Sequence, residues 1–148
     1  MKEAEAMEVG TDVISETPRP RLLRSIGATL AGLLAIVILS TATDMALHAT
    51  GIYPPISERM SDKLFVLATA YRIVFGIAGC YLAARLAPDR PMKHALILGV
   101  VGLVLSIAGA AAMWGAGPGW YSLAIIAIAL PCAWIGGKVV LIQRRADD

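Results

Sequence analysis

The chain alternates long apolar stretches with short polar or glycine-rich breaks. Apolar segments run from about 25 to 49, 63 to 86, 92 to 114 and 120 to 142. Each has about the 20 residues needed to cross ~30 Å of hydrocarbon at ~1.5 Å per residue. No Asp, Glu, Lys or Arg occurs between Ala95 and Gly137. A run that long suits two crossings joined by a tight turn. Backbone amides in hydrocarbon must be satisfied within their own segment, so each span is expected to be helical. The pattern predicts an all-α membrane protein, an antiparallel up-down bundle of four transmembrane helices across residues 22–143.

The breaks between spans set the orientation. Arg19, Arg21 and Arg24 precede the first span, Arg85, Arg90 and Lys93 surround the second break, and Lys138, Arg144 and Arg145 close the last. The first break offsets Arg59 and Lys63 with Glu58 and Asp62, and "GAGPG" carries no charge. Basic residues favour the cytoplasmic side, so both termini are expected there. Trp114, Trp120 and Tyr121 flank the glycine turn and are expected in the outer headgroup layer. Residues 1–21 read as a disordered, acidic cytoplasmic tail, and residues 144–148 as a short cytoplasmic tail. The first apolar segment is too long for a cleaved leader and is expected to remain as an anchor.

Composition narrows the function. Of 148 residues, 57% are hydrophobic and only 16% charged, below the quarter usual in soluble domains. A net charge of +2 gives no reason to expect nucleic acid as a partner. The bilayer is the expected partner, and a homo-oligomer or a larger membrane complex is compatible with this reading. Cys80 and Cys132 sit in apolar segments without a CxxC or Cys/His cluster, so neither metal nor other cofactor is expected. Asp44 and His48 have ligand spacing, yet they are a single pair.

Small residues recur at helical steps of three and four. The second span has Gly76, Gly79 and Ala83. The third has Ala95, Gly99, Gly102, Ser106 and Gly109. The fourth has Ala129, Cys132 and Gly136. Close backbone approach joins helices in lipid, so these rows are expected to be packing faces. Pro131 is expected to loosen the fourth helix, and Ser61 to cap the second.

One stretch is out of place in this pattern. "TDMALHATGIYPP" puts Asp44 and His48 at the end of a strongly apolar run. Asp44 is the only carboxylate inside a span. Arg72 continues the small row of the second span, and an arginine in the membrane needs a partner or water. At ~1.5 Å per residue, Asp44 lies about 7 Å and Arg72 about 13 Å inside the outer boundary. A snorkelling arginine bridges that difference. An Asp44–Arg72 pair is therefore expected, with Thr41, His48 and Tyr71 as further polar partners.

The stretches "TDMALHATGIYPP", "LATAYRIVFGIAGCYLAARLAP" and "PMKHALILGVVGLVLS" resemble a group of small bacterial four-helix membrane proteins of uncharacterised function. The resemblance covers about Arg24 to Gly137. It implies a bacterial inner-membrane location and carries no activity. No nucleophile–base pair or phosphate-binding loop suggests an enzyme. The reading favoured by sequence is a structural or accessory membrane component. The alternative is a small transporter or permease-like protein that uses the Asp44–Arg72 pair. A solvated cavity reaching that pair distinguishes the second from the first.

Overall fold

The computed structural model of the chain describes residues 19–55 and 57–147. It is an all-α bundle of four helices: α1 (Arg19–Ala49), α2 (Asp62–Leu86), α3 (Pro91–Ala112) and α4 (Gly119–Asp147). All four are long and apolar enough to cross a membrane. Leu30, Leu34, Val37 and Ile38 on α1, and Val100, Val104 and Ile107 on α3, are exposed on the bundle surface. In water such a surface would be an association site; on a spanning helix it faces lipid. The chain is a multi-pass membrane protein.

Local chemistry sets the helix ends. The residue before a proline is pushed out of helical geometry. Ala87, which precedes Pro88, is extended at φ −61° and ψ 129° and ends α2. Arg90 takes the left-handed conformation at φ 47°, and Pro91 opens α3. Proline suits that first position because its missing N–H has no partner inside the helix there. Gly115, at φ 96°, makes the reversal after α3.

Several boundaries differ from the sequence expectation. α1 begins at Arg19, so residues 19–21 belong to the helix and not to a tail; residues 1–18 lie outside the described residues. α4 continues through Asp147, past the apolar segment. A helix needs no apolar surface to continue into water when leucine, glutamine and arginine favour it. Pro131 lies within α4 without ending it. Ser61 occupies the N-cap position of α2 but makes no side-chain capping bond. Its carbonyl instead accepts from the amides of Leu64 and Phe65 at 3.0 and 3.3 Å.

Compactness differs between the two ends of the bundle. The end carrying the 87–90 turn and the outer ends of α1 and α4 is termed the terminal end, and the opposite one the loop end. The core at the terminal end consists of Cys80, Ala83, Ala84, Ala95, Leu98, Ala133 and Val140. Mostly alanine, it lets backbones meet. A Cβ added at Gly136 would stand 2.7 Å from both the Ile77 carbonyl oxygen and the Tyr81 amide nitrogen. One at Gly32 would stand 2.5 Å from the Gly79 carbonyl oxygen. Towards the loop end α3 loses this contact: none of its residues beyond Gly99 is buried, whereas Ala68 of α2 and Tyr53 still are.

Candidate functional site

Asp44 lies near the loop end of α1, and Tyr71 and Arg72 lie on the facing stretch of α2. Arg72 Nη2 donates to Asp44 Oδ2 at 2.9 Å. The Tyr71 hydroxyl donates to the other carboxylate oxygen, Oδ1. Tyr53, buried in the connection after α1, brings its hydroxyl to 3.3 Å from that of Tyr71. The carboxylate thus accepts from two donors, which is how a charge in a poorly solvating medium is held.

Arg72 is also bracketed by aromatic rings. Its guanidinium lies 5.7 Å from the ring centroids of both Tyr71 and Tyr121, within cation–π range. Tyr121 packs on Phe65 at 4.9 Å. Tyr121 therefore packs against the bundle and stays partly exposed, while Trp114 remains exposed.

His48 and Thr41 do not join the carboxylate. His48 Nδ1 donates to the backbone carbonyl of Asp44 at 2.9 Å, and its ring sits edge-on to Tyr53 at 5.2 Å. The i, i+4 spacing brings the imidazole to the preceding turn's carbonyl, which leaves its Nδ1 unable to reach the Asp44 side chain. Thr41 lines the cavity beside the pair.

That cavity has a volume of about 330 Å³ and takes walls from all four helices. Ser40, Thr41 and Asp44 come from α1, and Arg72, Gly76 and Cys80 from α2. Leu98, Gly99, Gly102 and Ser106 come from α3, and Ile125, Ala129 and Cys132 from α4. A second cavity of about 290 Å³ continues from Arg72 and Ser106 towards the 113–118 turn, past Tyr121, Ser122 and Gly117. Arg72 lines both. Their size is that of small-molecule sites.

The glycine rows divide accordingly. Gly79 meets Ile36 and Gly32, Gly99 meets Ala133, Gly136 meets the α2 backbone, and Gly76 faces Cys132 at 3.4 Å. Gly102 and Gly109 meet nothing within 4 Å, and Ser106 lies between them on the cavity wall. The expectation that these three belong to a packed seam is corrected: beyond Gly99 this row of α3 borders the cavities, while α3 stays paired with α4. Sequence reasoning missed Gly32 and Gly137, which are close-approach positions, and Tyr53, Tyr121 and Ser122 around the pair. Only the tyrosines gave a signal, as hydroxyls near the membrane ends of their segments.

No model of a known protein family, no curated protein and no solved structure matches the chain. Fold and site define its class: a multi-pass membrane bundle with a polar pair at a central cavity.

Proposed function

We propose that this chain is a small permease-like protein that receives its ligand at the Asp44–Arg72 pair. One observation carries the reading: a cavity lined by all four helices reaches both residues. A bundle serving only as a scaffold gains nothing from leaving that volume open beside two charges. Arg72 supplies N–H donors and Asp44 a carboxylate, so the site can exchange internal partners for those of a ligand. The role is binding and passage, not catalysis.

The placement is a proposal of the same kind. The flanking arginines and lysines support cytoplasmic termini, which turn the loop end and its cavity outward. The resemblance supports a bacterial inner membrane. A second reading, an accessory component in a homo-oligomer or larger complex, is favoured by the way the pair ties α1 to α2.

Solvation of the cavity separates the two. A cysteine at Ser106, with Cys80 and Cys132 replaced by alanine, should react with a polar maleimide in detergent. A cysteine at Val104, exposed on the bundle surface and so facing lipid or detergent, should not. An unreactive cysteine at position 106 would overturn the permease reading and leave the accessory one.

A further inference from the structure

We propose that the cavity seats one acyl chain of a membrane phospholipid, admitted sideways between α1 and α3, with its phosphate held by Arg72. The inference rests on the permease reading and adds the substrate class to it.

The first argument is where the bundle opens. α1 and α3 approach at the terminal end, where a Cβ at Gly32 would stand 2.7 Å from the Leu98 side chain. Towards the loop end they diverge. Gly102 and Gly109 have open space before them, and no α3 residue beyond Gly99 is buried. Yet Thr41 of α1 and Ser106 of α3 line one cavity. Its side therefore lies between two helices whose outer faces meet lipid, and a chain already in the bilayer needs no aqueous route.

The second argument is the distribution of polarity. From Arg72 towards the terminal end the walls are Gly76, Cys80, Leu98, Ile128 and Cys132, without a charge. Ser40, Thr41, Asp44 and Ser106 gather around Arg72 itself, and towards the loop end Ser122 and Tyr121 lie among Phe65, Met113 and Ile125. An uncharged chamber that ends at a cation and its polar neighbours matches an amphiphile's tail and charged head. A small soluble anion would leave the apolar chamber unfilled.

The third argument is donor capacity. A guanidinium has five N–H donors, and among the described residues Arg72 gives the carboxylate one bond, through Nη2. Its fork suits phosphate oxygens. Should Arg72 turn towards a headgroup, Asp44 keeps the Tyr71 hydroxyl.

Ser106→Cys, in a chain carrying Cys80→Ala and Cys132→Ala, provides the test. Oleoyl-lysophosphatidylglycerol should slow its labelling several-fold in detergent. Monoolein, with the same chain and no phosphate, should not, and neither should inorganic phosphate. Arg72→Gln should abolish the protection while labelling persists. The three-probe comparison needs only the cysteine reporter, so it decides even if Arg72→Gln does not fold. Equal protection by monoolein would overturn head recognition, and protection by phosphate alone would make this a soluble-anion site. Labelling that no probe slows would overturn the lipid while leaving the permease reading. A cysteine that never reacts would remove both.

Discussion

Arg72 and Asp44 face each other at 2.9 Å across α1 and α2, and each side chain keeps about a third of its surface, 30% and 32%. Those fractions decide the energetics. A fully buried pair loses about 3–5 kcal/mol when one partner is removed, because a bare charge remains in low dielectric. An exposed pair contributes about 0.2–1 kcal/mol. Partly open to a cavity and strengthened by Tyr71, this pair falls between.

Asp44→Asn and Arg72→Gln should therefore each lower stability by about 1–3 kcal/mol, between the exposed and buried limits. The double variant should be no less stable than the better single one, since neither charge is then left alone. Thermal melts of all these proteins in one detergent measure the coupling. Strictly additive losses would show that the two charges do not interact.

Tyr71→Phe tests the second donor. It removes a hydrogen bond to a charged oxygen, for which about 1.5–3 kcal/mol is typical. Tyr53→Phe removes a longer neutral contact, and about 0.5–1 kcal/mol is expected there. The same melts give the order. A larger loss at Tyr53 would mean that its packing, and not the hydroxyl chain to Asp44, holds the connection.

The four spans were legible because hydrocarbon imposes length and apolarity on any helix that crosses it. Asp44 and Arg72 stood out for the same reason, as charges where charges are costly. The cavity was not legible. Gly99, Gly102 and Gly109 form one row at helical steps, and a glycine reads the same against a neighbouring helix or a void. Divergence of α3 depends on the angle between axes, which no single row encodes. Tyr53 was hidden because its burial depends on how the connection folds back after Gly51, whose φ of 72° turns the chain.

The proposed orientation rests on the position of charge. Arg21, Arg24, Arg85, Arg90, Lys93, Arg144 and Arg145 gather at the terminal end, whereas Arg59 and Lys63 at the loop end are offset by Glu58 and Asp62. Reporter fusions after Gly117 should report the outside and fusions after Asp148 the inside. The reverse pattern would turn the cavity towards the cytoplasm and require phospholipid to enter from the inner leaflet.

Gly136 and Gly102 should respond oppositely to added side-chain volume. At Gly136 a Cβ would meet the Ile77 carbonyl oxygen and the Tyr81 amide nitrogen, both at 2.7 Å. These are backbone atoms of α2 and cannot turn aside, so α2 and α4 must separate. Gly136→Ala should lower stability by about 1–3 kcal/mol, the cost of overpacking a tight core. At Gly102 nothing lies within 4 Å. Gly102→Ala should be neutral or gain up to about 1 kcal/mol from helix propensity. Gly102→Leu should also fold, because its side chain enters the cavity, and it should reduce labelling of a cysteine at Ser106. Melting each variant in one detergent, with the labelling rate measured beside it, checks both halves. If Gly102→Leu melts as early as Gly136→Ala, α3 is packed along its whole length and the cavity does not exist in solution.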